Sequence, residues 1–231
     1  MKRFLTAFFG CEVVVITALL VTTPTPALTA QGCQMPANVP DRRIVIDWVD
    51  AGVDINDRLS PSQIAALGQT AAPPGVTVRG LTAAQTVLGV RSGMAIWEDG
   101  RGGVCVTPTI VTVRLGFAVP QRVYIQAGYA EGSCERRAIY EHELGHVRIN
   151  RDTLIQHVSR VQYAAHSLLG NYAMWPMRVG SRQEAGRAVT ENFRKAVSVE
   201  MEYYQNRRDA MHAQLDTPQN YRATANLCSD W

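Results

Sequence analysis

Apolar residues recur along this chain with two periods, and the change from one to the other falls near Cys134. Before it, short runs alternate or cluster as strands do. Residues 43–49 (Arg-Ile-Val-Ile-Asp-Trp-Val) predict a strand rich in β-branched side chains. Ser60-Pro61-Ser62-Gln63 has the form of a helix start, with Ser60 as N-cap and Pro61 in the first turn of a short helix ending near Leu67. Ala72-Pro73-Pro74-Gly75 breaks the chain. Residues 76–79 read as a strand, and residues 82–87 fit either period. Turns follow around Gly100, Gly102 and Gly103. Residues 104–117 carry alternating Val, Thr and Ile and predict one or two strands, and residues 122–126 (Arg-Val-Tyr-Ile-Gln) another.

From Cys134 the period is helical. Residues 134–169 contain no Pro and, apart from Gly145, no Gly. Residues 170–180 form a break containing Met174-Trp175-Pro176-Met177. Residues 181–215 predict a second long helix, with Ser181 as N-cap and Glu184 completing a capping box. Asp216-Thr217-Pro218 ends it. Strands followed by a long helical hairpin predict an α+β fold with a small antiparallel or mixed sheet.

The N-terminus adds a targeting signal to this picture. Lys2 and Arg3 precede a largely apolar run over residues 4–21, interrupted by Glu12, and small residues continue to Ala30. That is the order of an export signal, so residues 1–30 are expected to be a signal peptide and residues 31–231 a single domain. No membrane span is expected after its removal. Cys11 leaves with the signal, and Cys33, Cys105, Cys134 and Cys228 remain. Their spacing fits no zinc finger, and two disulfides in an oxidising compartment are the expectation, paired Cys105–Cys134 and Cys33–Cys228. Ala30-Gln31-Gly32-Cys33 is a degenerate lipobox, which makes a lipid anchor on Cys33 the alternative. The formal charge of +3 comes with no dense basic run and no aromatic–basic alternation, so nucleic acid is not an expected partner.

The chemistry is concentrated in His142-Glu143-Leu144-Gly145-His146. On a helix, residues four apart lie about 40° around the axis and about 6 Å along it, so both imidazoles reach one metal ion. Glu143 then faces the metal's open position, where a carboxylate can take a proton from water and return it to a leaving amine. Two imidazoles, a third ligand and water suit Zn2+. The wheel supports burial on two sides. Tyr140, Leu144, Val147, Leu154, Val158, Val161, Ala165 and Leu169 form one apolar stripe, and Ala138, His142, Gly145, His146, Ile149 and Thr153 a second uncharged face.

The motif does not supply its third ligand. Folding the hairpin near Trp175 sets His142 and His146 opposite Arg208 and Tyr204. Glu200 interrupts the apolar stripe of the second helix, where an unpaired carboxylate is costly, and is the leading candidate. His212 and Asp152 are the others. Met174 to Met177 can be compared with a methionine turn beneath a metal, and Tyr203 and Tyr204 with carbonyl-polarising tyrosines, but a Trp-anchored loop and aromatic helix packing are the expected readings.

Residues 134–140 leading into His142-Glu143-Leu144-Gly145-His146 resemble the zincin superfamily, and also an uncharacterised bacterial family of predicted secreted zinc-dependent proteases. The resemblance spans about residues 104–216 and implies zinc at His142 and His146 with Glu143 as general base. The Gly and third His that metzincins carry after this motif are absent, as is the downstream N-E-x-x-S/D signature of gluzincins. The expected function is a secreted or periplasmic zinc metallopeptidase acting on a peptide or protein, with the cell envelope as one source, laid along the strand at residues 122–126 as an edge. The alternative is a zinc-stabilised envelope-binding module without turnover.

Overall fold

The computed structural model describes residues 33–68, 77–174 and 176–229. The expected signal peptide, the break at residues 72–75 and Trp175 lie outside these. The order is β1 (Arg43–Asp50), β2 (Val53–Leu59), α1 (Pro61–Leu67), β3 (Gly80–Ala83), β4 (Val87–Glu98), β5 (Val104–Phe117), β6 (Gln121–Gln126), α2 (Cys134–Met174), β7 (Met177–Val179), α3 (Arg182–Leu215) and α4 (Pro218–Ala225). The fold is α+β, with two small mixed sheets beside a long antiparallel helix pair.

In the first sheet β5 lies between β1, parallel to it, and β4, antiparallel, while β7 pairs with its first three residues. In the second, β6 lies between parallel β2 and antiparallel β3. The sheets meet at a shared corner. Ala51 N donates to Phe117 O and Gln121 N to Gly52 O, both at 2.9 Å, so the β1–β2 and β5–β6 chains bend together. Gly116 permits the approach, because a Cβ there would stand 1.9 Å from Val49 O.

The 41-residue α2 serves both sheets. Its first turns bury Ile139 and Val147 against Val123 and Ile125 of β6. Further along, Leu154, Val161, Ala165 and Leu169 pack with β5 and with Val189, Phe193, Val197 and Tyr204 of α3. The predicted apolar stripe is thus one continuous face divided between two cores. The helix pair is antiparallel, with Asn192 Nδ2 donating to Tyr172 Oη at 2.7 Å near one end and His212 meeting His146 near the other.

Several expectations need correction. The strand at residues 122–126 is not an edge, because β2 and β3 occupy both its sides; those two are the edges. The strand expected at residues 76–79 begins instead at Gly80. Strand β2 (Val-Asp-Ile-Asn-Asp-Arg-Leu) escaped the pattern because an exposed edge carries charge, and β4 because Gly89 and Gly93 interrupt its alternation. α2 runs past Gly170 to Met174. Ser60 caps α1 with Gln63 in a full capping box. Ser181 caps α3, but the Glu184 carboxylate accepts from Gly180 N instead of closing a box.

The disulfides join Cys33 to Cys105 and Cys134 to Cys228, not the expected pairs. The start of α2 lies beside the chain after α4, and the lead-in reaches β5. The Cys33 sulfur that a lipid anchor requires is therefore engaged in a disulfide. Among the described residues, no helix is long and apolar enough to cross a membrane.

The Cys134–Cys228 bridge closes 94 residues that include α2, α3 and α4. Replacing both cysteines by serine is expected to lower unfolding free energy by up to about 4–5 kcal/mol, the loop-closure bound. Urea unfolding of the pair variant checks this, and an unchanged midpoint contradicts it.

Candidate metal centre

Two turns of α2 project His142 and His146 toward the end of α3. Their Nε2 atoms approach the same atom, Asp216 Oδ1, at 3.2 and 3.1 Å. The ligand atoms of His142, His146 and Asp216 all lie within 4.8 Å of one another, a group that could hold a metal ion. A tetrahedral ion with ligands at 2.0–2.2 Å requires donor–donor separations of about 3.4 Å, so the spacing and the two-imidazole, one-carboxylate donor set both fit.

Asp216 is held by a tight corner between helices. It is the C-cap of α3, its N–H donating to His212 O, and the next residue, Thr217, is the N-cap of α4. Pro218 opens α4, and Asn220 Nδ2 donates to the Gln214 and Leu215 carbonyls at 3.1 Å each, satisfying two terminal acceptors. Gly145 of the motif lets this end approach, because a Cβ there would stand 2.8 Å from Leu215 Cδ2. The corner also brings in Tyr221 of α4, whose hydroxyl donates to Asp216 Oδ1 at 2.9 Å and whose ring lies 5.4 Å from that of His142.

The Glu143 carboxylate reaches β3 of the second sheet and is 4% exposed. Thr82 of β3 donates to its Oε2 at 2.8 Å. Gly80 leaves room for it, since a Cβ there would meet Glu143 Oε1 at 2.5 Å. Burial raises its pKa above the usual carboxylate value, against the opposing pull of the histidines and of Thr82. Burial also acts to raise Asp216, but the His142, His146 and Tyr221 hydrogen bonds outweigh it and hold this carboxyl well below its ordinary range. Burial acts to lower His146, and the Asp216 hydrogen bond with the Glu143 and Asp216 charges outweighs it, so its pKa is raised.

Behind His146 stands a polar row. Its Nδ1 meets His212 Nδ1 at 2.7 Å, and His212 Nε2 meets Asn150 Oδ1 at 2.9 Å. Asn150 Nδ2 donates to Gln121 Oε1 at 2.9 Å. Burial, then the charges of His146 and Arg208, lower the His212 pKa to about 4.

The structure thus brings His142 and His146 together with Asp216 and not with Glu200, while the Glu143 carboxylate lies against β3. The Glu200 carboxylate lies 3.8 Å from Arg160, which is about 21 Å along α2 from His146. Arg160 is its ion-pair partner, and Glu200 Oε2 makes no hydrogen bond. Asp152 is exposed on an α2 that continues unbroken. His212 arrives at the site as the partner of His146 Nδ1, leaving Nε2 to face Asp216. His157 bonds the Thr153 carbonyl beside Tyr204, Tyr204 is buried packing, and Tyr203 is exposed. Met174 and Met177 lie at the far end of the helix pair, about 40 Å along α2 from His146.

Asp216 and Tyr221 were missed because the segment Asp216-Thr217-Pro218 was read only as a helix stop. A signal was present. A carboxylate at a helix C-terminus opposes the macrodipole, which favours cations there. An acidic C-cap followed by Thr-Pro therefore asks for a partner.

Asp216→Ala is expected to reduce metal content from one equivalent to substoichiometric, while Glu200→Ala leaves it intact; elemental analysis after dialysis decides, and the reverse pattern sinks the assignment. Protons compete for His146 from above its ordinary 6.5, since its pKa is raised, whereas Asp216 stays ionised throughout. Apparent metal affinity should therefore fall as pH drops from about 8 to 6. Chelator competition across that range measures it, and a flat profile is the contrary result.

No family model matches this chain, and neither a curated protein nor a solved structure matches it.

Proposed function

We propose that this protein is a zinc-dependent peptidase of zincin type, acting outside the cytoplasm on peptide or protein substrates. The observation that carries the reading is the division of labour between two carboxyls beside two histidines. Asp216 is held ionised by three hydrogen-bond donors, and Glu143 is buried with a raised pKa in contact with β3. Zinc suits the donor set, and when bound supplies Lewis-acid chemistry that makes water nucleophilic near neutral pH.

The residues of the chain supply the rest. His142, His146 and Asp216 hold the ion. Glu143 accepts a proton from the attacking water and returns it to the leaving amine, work for which a raised carboxyl pKa is suited. Thr82 fixes the carboxylate so that it serves as base rather than as a fourth ligand. The Tyr221 pKa is pushed up by burial and by Asp216, so its hydroxyl stays a neutral donor at working pH. Among the described residues β3 pairs only with β6, and its other edge offers main-chain groups to an extended peptide. Export is supported by the two disulfides and the N-terminal sequence.

One observation favours the second reading, a zinc-stabilised binding module without turnover: Glu143 is almost fully covered. Glu143→Gln separates the two. For a peptidase it should lower turnover by about 10²–10⁴-fold while one equivalent of zinc is kept. A wild-type protein that holds zinc and cleaves nothing in a broad peptide library supports the binding module, and one that holds no zinc removes both readings.

A further inference from the structure

The row behind His146 has a direction. Asn150 Nδ2 donates to Gln121 Oε1, so Asn150 presents its carbonyl oxygen, Oδ1, to His212. A carbonyl oxygen only accepts, so His212 Nε2 carries a proton and donates it. A neutral His212 then has a bare Nδ1. The 2.7 Å contact between the two Nδ1 atoms must consequently be His146 Nδ1–H donating to His212. Each step fixes the next, from a glutamine on β6 to a histidine on α2.

The consequence falls on the other face of the ring. His146 Nε2 is the atom 3.1 Å from Asp216 Oδ1. With a proton held on Nδ1, the proton that a metal has to displace is the one Nε2 shares with Asp216, and the Nε2 lone pair then faces the ion. The opposite direction would leave Nδ1 bare and the ring's single proton on Nε2, so that displacing it would require an imidazolate. The row is well protected, since Gln121 is 0% and Asn150 4% exposed. Both of these residues have side chains committed to the row, and no other contact explains a buried amide pair at this point among the described residues. Gln121 Nε2 has no hydrogen-bond partner, an orphaned buried donor that the row tolerates.

We infer that His212, Asn150 and Gln121 are positioning residues that hold His146 as its Nδ1–H tautomer, with Nε2 presented to the metal. The inference rests on the proposed metal site. His212 acts through His146 and touches no substrate. Fixing a ligand's tautomer and ring orientation in this way contributes about 10–100-fold in metal affinity in other metalloproteins. The Tyr221 ring lies 5.4 Å from that of His142.

Two measurements test this, and the first needs no metal. Long-range ¹H–¹⁵N correlation spectra of the histidine rings in the metal-free protein should show His212 protonated at Nε2 and bare at Nδ1. A His212 protonated at Nδ1 overturns the direction of the row, whether or not the protein binds zinc. The second is zinc affinity by chelator competition in the full chain. His212→Phe fills the space without an acceptor and should weaken binding about 10–100-fold, whereas His212→Gln, which can accept at one end and donate at the other, should come within about fivefold of wild type. Equal affinity of the Phe variant and wild type overturns the positioning role. Wild-type protein without zinc affinity overturns the metal site itself, and the spectra still decide the row.

Discussion

Everything at this site depends on how far α3 slides along α2. Two histidines one turn apart define a point in space, but they do not define what meets them. The register of the helix pair does, and it sets His212 against His146 and Asp216 against His142. A shift of one turn, about 5.4 Å, would replace Asp216 by another residue and leave both imidazoles without their shared oxygen. The register is held at both ends. At the far end β7, in the link between the helices, pairs with β5, and Asn192 meets Tyr172. At the near end Leu215 fills the space that Gly145 leaves.

The sheets enter through α2. Because one helix face is divided between two cores, the histidines sit close to where the helix passes from β6 to α3. The same turn can therefore aim Glu143 at β3 and His146 at α3. A helix packed on one sheet alone would expose one of those faces. The α4 corner closes the third side, and the Cys134–Cys228 bridge ties its far end to the start of α2. His142, His146, Asp216, Glu143 and Tyr221 therefore hang on elements that are each restrained twice.

How much of this the sequence disclosed follows from which signals are local. The α+β order, the two long helices, the cap of α1 and the two-histidine spacing are all set within a few residues, and all were legible. Charged β2 and glycine-interrupted β4 were not, because their strand character comes from partners far along the chain. Disulfide pairing and helix register are longer-ranged still. Glu200 illustrates the difference. A carboxylate in an apolar stripe is costly, but the group Glu200 faces is Arg160 across the pair, not the histidines. The fold point was set near Trp175, whereas α2 runs to Met174 and α3 begins only at Arg182, so the true partners lie about two turns further on. The clue to Asp216 was again local: an acid where the helix dipole disfavours one.

The same clue bears on the chemistry. Asp216 and Glu143 both stand near the negative end of α3, and each charge raises the cost of the other; Asp216 acts to raise the Glu143 pKa. The histidines relieve this only in part, because burial and neighbouring positive charge keep His212 neutral down to about pH 4. Two carboxyls in one site can divide a task when their surroundings drive their pKa values apart. Here three donors hold Asp216 ionised, while burial beneath β3 favours protonated Glu143. A divalent cation among His142, His146 and Asp216 would offset the first charge and the dipole together. It would also draw the Glu143 pKa back down toward the range in which a carboxylate can take a proton from water and give it up again. On the proposed reading, the metal that these donors would hold is also what would make the buried glutamate usable as a base.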